Sequence, residues 1–178
     1  YVDGSGNVGI GTNSPSEKLS VAGDGLFTGL LTANTFNAAS STLLSQNGTR
    51  MFWSNTTSES IAIGEGAGNA FSDTGLRNTA LGYQAGFDSG STTASDFLTA
   101  VGYQSAYQNT SDNVTASGYY SAFQNTGTRV TAQGFYSAYQ NTGSNLTAQG
   151  AYSAYDNSGN NVTAQGYFSA ALNTGSNV

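Results

Sequence analysis

The sequence predicts an all-β protein, a β-solenoid (β-roll) of seven short coils, and three observations support that prediction. The C-terminal half repeats with a period of 16 residues, which is too short for a repeat made of two helices. Each repeat contains a glycine near its middle and several residues that favour strands, such as Thr, Val, Tyr and Phe. Each repeat also ends near Asn and Gly, which supply the positive φ that a tight turn requires.

The composition of the 178-residue chain fits a polar repeat protein. Gly, Ser, Thr and Asn number 24, 24, 22 and 18, so these four types make up about half of the chain. Only 8% of the residues are charged, against roughly 25% in a typical globular domain. Aromatic residues reach 12%, and they recur at fixed positions, which argues against a disordered chain.

The missing residue types exclude several classes of function. With no His and no Cys, the chain lacks the usual ligands for zinc, haem and iron–sulfur clusters, as well as a Ser-His-Asp triad. We therefore expect no cofactor, no metal and no enzymatic activity. Four scattered cations and a net charge of −6 argue against nucleic acid and against anionic membranes. No run of about 18 apolar residues occurs, so we expect no membrane insertion of this segment.

The chain divides into three predicted regions. Residues 1–24 form an N-terminal β segment with two short strand-like runs around Pro15. Residues 25–60 form a linker or cap without a clear period, and a cap at this point would protect the open edge of the solenoid. Residues 61–178 form the repeat array. Two looser units begin at Ile61 and Thr79, and five strict units begin at Thr99, Thr115, Thr131, Thr147 and Thr163.

Each repeat unit is predicted to form one coil of the solenoid. A strand runs near Val/Leu-Thr-Ala-x-Gly, a second stretch lies near Tyr-Ser-Ala-Tyr, and a turn follows at Asn-Thr-Gly-x-Asn. The alternation of side chains along a strand places the Val/Leu, the Ala, the Gly and the second Ala on the inward side. Such small residues predict a thin coil or a close contact between coils.

Stacking the coils about 4.8 Å apart turns each repeat position into a ladder along the axis. Asn109, Asn125, Asn141, Asn157 and Asn173 predict a ladder of side-chain amides at the turns. An aromatic ladder on the other face is a candidate for interchain or glycan contacts, and its members are Tyr107, Phe123, Tyr139 and Tyr155. Because a lone coil of Ala and Gly buries little apolar area, we expect a homo-oligomer in which aromatic ladders pack between chains.

Several motifs resemble known fibrous proteins. The run NTALGYQA at residues 78–85 is similar to a repeat of bacteriophage tail fibres and related bacterial surface proteins. The run SIAIG at residues 60–64 resembles the head repeat of trimeric autotransporter adhesins, which is a β-roll. The run GNVGIGT at residues 6–12 resembles a segment common upstream of such repeats. These resemblances imply a trimeric attachment fibre located outside the cell, on a cell surface or on a virion.

The leading expectation is thus an extracellular structural fibre, acting as a shaft or spacer, with itself as partner in a trimer or a filament. A carbohydrate-binding adhesin is the alternative, in which the aromatic ladder contacts cell-surface glycans. A polysaccharide-cleaving tailspike is less favoured, because the acidic residues of the array do not recur at one repeat position. Asn-x-Thr sequons mark possible glycosylation at Asn113, Asn145 and Asn161.

Overall fold

The chain divides into two compact units, Tyr1–Asn37 and Ala38–Val178. All regular elements that are described are β-strands, and no helix that could cross a bilayer occurs within the described ranges. The structure, a computed structural model, describes residues 1–25, 28, 42–46, 49–55, 59–69, 71, 77–89 and 96–178.

The N-terminal unit contains a small parallel pair of strands, β1 (Val8–Ile10) and β2 (Leu19–Val21). The two strand-like runs of the sequence analysis correspond to these strands. Pro15 lies in the short connection between them and is buried. The two strands therefore run in the same direction, and residues 11–18 connect them.

A turn held by Asp3 precedes β1. Its carboxylate accepts hydrogen bonds from the backbone amides of Asn7, at 2.8 Å, and Ser5, at 2.9 Å. The bond from the Asn7 amide is the main reason that the pKa of Asp3 lies below its ordinary value. The aspartate thus works as a local turn-forming residue.

In the described part of the larger unit, one sheet of nine strands has its strands side by side in chain order. The first two strands are antiparallel to their neighbours, and the last seven are parallel to each other. The strands are β3 (Thr42–Gln46), β4 (Thr49–Asn55), β5 (Ser60–Ile63), β6 (Thr79–Leu81), β7 (Leu98–Val101), β8 (Val114–Ser117), β9 (Val130–Gln133), β10 (Leu146–Gln149) and β11 (Val162–Gln165).

The seven parallel strands confirm the predicted β-solenoid. Each strand from β7 to β11 pairs with the equivalent residues of the next coil, so that Thr131 lies opposite Thr115 on one side and Thr147 on the other. The step from coil to coil is therefore 16 residues between β7 and β11, and about six turns of solenoid connect β5 with β11. The pairing register follows from the sequence period because identical positions present identical side chains to the core.

The core of the solenoid is thin and consists of small side chains. Within one coil, Val130, Ala132 and Ala138 are buried together, and the same positions are buried in the neighbouring coils. These are the Val/Leu and the two Ala positions that the sequence analysis placed inward. The burial of Val130 and Ala132 follows from their alternation with Thr131 and Gln133 along the strand.

The second half of each coil has a conformation that the sequence analysis left unspecified. The Tyr-Ser-Ala-Tyr stretch forms a ribbon in which every second residue has a positive φ. In one coil Tyr120, Ala122 and Gln124 have φ values of 54°, 50° and 52°. Their amides bond alternately to the two neighbouring coils: Tyr120 and Gln124 donate backward to the carbonyls of residues 103 and 107, and Ala122 donates forward to the carbonyl of Ser137.

The glycine in the middle of each repeat was expected to lie on the inward side of the strand, but its recurrence has a different physical reason. Gly118 does not face inward along the strand; it follows the strand at a corner, with φ +137°. A Cβ added at the preceding equivalent, Gly102, would lie 2.5 Å from the carbonyl oxygen of Gly118. Glycine is therefore required both by the backbone conformation and by the close approach of successive coils.

The predicted asparagine ladder is present at the turns, where Asn109, Asn125, Asn141 and Asn157 are buried and Asn173 is half-buried. The Asn141 side-chain amide donates to Asn125 Oδ1 at 2.7 Å, and the Asn157 amide donates to Asn141 Oδ1 at 2.8 Å. The Asn141 side chain also bonds to both the amide and the carbonyl of Gly143. The same asparagine side chain therefore closes the turn of its own coil and hydrogen-bonds to the coils on both sides.

A buried serine links the ribbon of one coil to the strand of the next in the middle of the array. Ser121 Oγ donates to the carbonyl of Ala132 at 2.8 Å, and Ser137 Oγ donates to the carbonyl of Ala148 at 3.0 Å. Both serines are completely buried. The sequence analysis did not single out this position, although the same serine occurs in all five strict repeats.

The strands β3 and β4 come from the segment assigned to a linker or cap. β4 pairs antiparallel with β5, with Trp53 opposite Ala62, and β3 pairs with β4 on the far side. Trp53 is buried and its ring lies 6.1 Å from that of Phe71. The first coil therefore has its sheet edge covered by another strand.

Candidate functional site

The candidate site is a face of stacked aromatic rings on the ribbon side of the solenoid. The corner glycine directs the chain away from the strand, and the ribbon then places its serine and second alanine inward. The aromatic residues between and beside them are left on the outer side. Because the coils repeat in register, each aromatic position forms a column of rings along the axis.

There are three such columns among the described residues. Neighbouring rings within a column have centroids 5.0–5.5 Å apart and planes within 27° of each other. Column 1 contains Tyr83, Tyr103, Tyr119 and Phe135; column 2 contains Tyr120, Tyr136, Tyr152 and Phe168; column 3 contains Phe87, Tyr107, Phe123, Tyr139 and Tyr155.

The columns also contact each other sideways, so that they form one continuous surface, here called the aromatic face. Tyr119 of column 1 meets Tyr120 of column 2 edge to face at 4.6 Å. Tyr120 in turn lies 4.9 Å from Phe123 of column 3. Edge-to-face and offset-stacked contacts are the favoured arrangements of aromatic rings, and each contributes about 0.5–1.5 kcal/mol beyond the burial of area.

The aromatic face remains partly open to solvent. The rings of Tyr103, Tyr119 and Phe135 are 41%, 42% and 43% exposed. Since the rings stack face on face, the exposed parts are mainly their edges and the tyrosine hydroxyls. A surface of this kind offers apolar ring edges and hydrogen-bonding hydroxyls together, a combination that is common in protein interfaces.

Crowding of the tyrosines changes their acidity. Burial raises the pKa of Tyr120, Tyr136 and Tyr139 above the ordinary value, and neighbouring tyrosines raise it further. The folded state thus favours the neutral phenol more than the unfolded chain does. This contribution to stability is fully present below the unfolded pKa near 10 and is lost as the pH rises through the folded pKa values.

The four predicted contact residues, Tyr107, Phe123, Tyr139 and Tyr155, all lie in column 3. They are half-buried, and they form one part of a wider surface. The sequence analysis missed columns 1 and 2. The signal was the adjacent aromatic pairs at 119–120 and 135–136, which sit beside each corner glycine.

Column 1 has one interruption. Ala151 occupies the position that holds Phe135 in the coil before and Tyr167 in the coil after. Tyr152 of column 2 leans toward the gap, with its ring 5.4 Å from Phe135 and 6.2 Å from Tyr167. The stack of column 1 is therefore broken at a single point.

The predicted glycosylation positions lie on an edge of the solenoid outside the aromatic face. Asn113, Asn145 and Asn161 are exposed and have φ values of 54–58°. The Asn145 amide donates to Asn161 Oδ1, and the Asn161 amide donates to Asn177 Oδ1, both at 2.9 Å. A glycan on the amide nitrogen of Asn145 or Asn161 would replace a donor of this surface ladder.

The remaining side of the solenoid carries a changing strip of outward strand residues. Ile63, Leu81 and Val101 are exposed in the first three coils. The equivalent residues of the last coils are glutamines, and Gln149 donates to Gln133 Oε1 at 3.4 Å. The solenoid therefore has an apolar strip at one end and a polar amide ladder at the other.

Within the described ranges, no group of three or more acidic side chains is arranged to hold a metal ion. Comparison of this chain with protein families, curated proteins and solved structures gives no match.

Proposed function

We propose that this chain is a segment of an extracellular structural fibre, in which the solenoid acts as a shaft or spacer. The supporting observation is the regular stack of coils, in which ladders of Val or Leu, Ala, Ser and Asn join the 16-residue coils to each other. A repeat of this kind lengthens by about 4.8 Å per coil without any change in its cross-section. The fibre belongs to a cell surface or a virion, as the resemblances in the sequence imply.

The partner of the chain in this proposal is another copy of itself, with a trimer as the favoured assembly. The exposed aromatic face supports this part of the proposal, because contiguous apolar surface of this kind marks an interface. Column 1 is the part of the face nearest to solvent, with Tyr119 42% exposed at its centre. Packing of this column against a second chain would remove its ring edges from water.

Electron microscopy of the purified chain tests the fibre proposal. We expect elongated assemblies, and compact monomeric particles would contradict it. The role of the aromatic face is tested with Tyr119→Lys, which places a charge in the centre of column 1. We expect this variant to dissociate, while Gln149→Lys on the strand side remains assembled. Dissociation of the Gln149 variant alone would assign the interface to the opposite side.

A second candidate function is a carbohydrate-binding adhesin, in which column 3 contacts glycans. The tyrosine hydroxyls beside apolar ring edges support it, since sugars present hydroxyls beside apolar C–H groups. Binding to a glycan array is expected to be lost in Tyr155→Ala, with an unchanged circular dichroism spectrum. Unchanged glycan binding by that variant would remove column 3 as the contact surface.

A further inference from the structure

The first coil of the solenoid has no aromatic residue at the positions of columns 1 and 3, whereas column 2 begins only at Tyr120, three coils later. β5 pairs with β6 at an offset of 18 residues, so Glu65 occupies the position of Tyr83, and Asn69 that of Phe87. The Gln84 amide donates to the carbonyl of Glu65, which fixes this register within the ribbon as well. Columns 1 and 3 therefore start at Tyr83 and Phe87, next to a coil that has Glu65 and Asn69 at the equivalent positions.

A cavity of about 330 Å³ lies beside this first coil. Its volume falls at the lower end of the range of small-molecule sites. The coil edge contributes one wall, and β4 contributes the opposite wall. The residues that matter for its chemistry are Arg50, Glu65, Gly66, Asn69, Gln84 and Phe87.

Phe87 provides the apolar side of this cavity. Its ring stacks on Tyr107 at 5.2 Å on the side of the later coils, and it lines the cavity on the side of the first coil. The position of Gly66 keeps this ring accessible. A Cβ added at Gly66 would lie 3.5 Å from Cδ2 and 3.8 Å from Cε2 of Phe87, so a larger residue here would cover the ring.

Polar side chains lie around the half-buried ring of Phe87, and hydrogen bonds orient some of them. The Arg50 guanidinium donates to Asn69 Oδ1 at 3.1 Å, and its carbon lies 5.6 Å from the centroid of the Trp53 ring. Gln84 Oε1 accepts a hydrogen bond from the Gln104 amide, which orients the Gln84 side chain. Glu65 adds an exposed carboxylate from the coil edge.

We propose that this cavity binds a single neutral pyranose ring, at the end of or within a glycan. An apolar ring complements the C–H face of a sugar. Arginine, glutamate, asparagine and glutamine have planar head groups with paired donors or acceptors, which match adjacent sugar hydroxyls. One cation and one anion give the cavity no net charge, so a neutral sugar fits better than an acidic one.

This proposal shares its ligand class with the second candidate function above and differs in the place of binding. The two are separated by NMR titration of the full 178-residue chain with the methyl glycosides of mannose, glucose, galactose and glucuronic acid. We expect saturable amide shifts at residues 65, 69, 84 and 87 with at least one neutral sugar, at a Kd of about 1 mM. Shifts confined to residues 107–155 would overturn the cavity site and would favour column 3.

Two variants make the test specific. Glu65→Ala removes an exposed carboxylate and is expected to weaken binding by about tenfold, the loss of one charge-assisted hydrogen bond. Gln165→Ala, on the exposed strand side of the last coil, is expected to leave the affinity unchanged. An equal affinity of the parent chain and Glu65→Ala would overturn the proposal, as would the absence of shifts with all four sugars. Tighter binding of the glucuronide than of the glucoside would overturn the assignment of a neutral ligand.

Discussion

The buried asparagine ladder should be the most sensitive part of the solenoid. In Asn141→Ala, four hydrogen bonds are lost: two from the side-chain amide, to Asn125 Oδ1 and to the Gly143 carbonyl, and two to its oxygen, from Asn157 and from the Gly143 amide. Asn141 is completely buried, so water does not replace these partners. At a net value of about 1 kcal/mol each, the expected loss in the free energy of unfolding is about 3–4 kcal/mol.

Urea unfolding at 25 °C, followed by circular dichroism, measures this loss through the shift of the midpoint. Gln149→Ala is the matched control, because Gln149 also belongs to a side-chain amide ladder with a 16-residue step, but on the exposed strand side. We expect this control to change the free energy of unfolding by less than about 0.5 kcal/mol. Equal losses in the two variants would refute the reasoning that burial makes the asparagine ladder the stronger one.

Three further predictions concern the backbone and the aromatic face. Ala151→Tyr fills the gap in column 1, so we expect the free energy of unfolding to rise by about 0.5–1.5 kcal/mol, which is measured as a higher melting temperature. A lower melting temperature than that of the parent chain would contradict the stacking account. Gly118→Ala meets both a positive φ and a steric overlap with the next coil, so a loss above about 3 kcal/mol is expected in urea unfolding, and a loss below 1 kcal/mol would contradict it. The double variant Tyr120→Phe and Tyr136→Phe keeps the rings of column 2 but removes two phenols with raised pKa values, so its alkaline unfolding midpoint should lie at higher pH. An unchanged midpoint would show that these two phenols do not control alkaline unfolding.

The strand half of each coil was predictable from the sequence because it depends on local alternation and on identity between repeats. Val130, Thr131 and Ala132 alternate between the core and the surface, as their polarity indicates. The buried position of Asn141 follows from its recurrence at a turn, where a buried amide needs an identical partner in the next coil.

The ribbon half was not predictable in the same way. Tyr120, Ala122 and Gln124 are not residue types that favour a positive φ, so propensity alone points away from their observed conformation. Their backbone amides bond to the coils on both sides, and these bonds exist only once the coils are stacked. The conformation is therefore a property of the array and not of any single repeat.

The cavity could not be predicted because it depends on an element outside the repeat. Arg50 reaches it from β4, whose antiparallel pairing with β5 has no counterpart among the later coils. The sequence does show that Glu65, Gly66 and Asn69 replace larger residues of the array. Only the placement of β4 shows that this replacement leaves a cavity between β4 and the first coil.

The mass of the assembly in solution tests the central claim, self-association of the solenoid through its aromatic face, most directly. Light scattering coupled to size-exclusion chromatography should give three times the chain mass of 18.2 kDa for the parent protein and for Gln149→Lys. It should give the single-chain mass for Tyr119→Lys with an unchanged circular dichroism spectrum. A mass of 18.2 kDa for the parent protein at every concentration would contradict the claim.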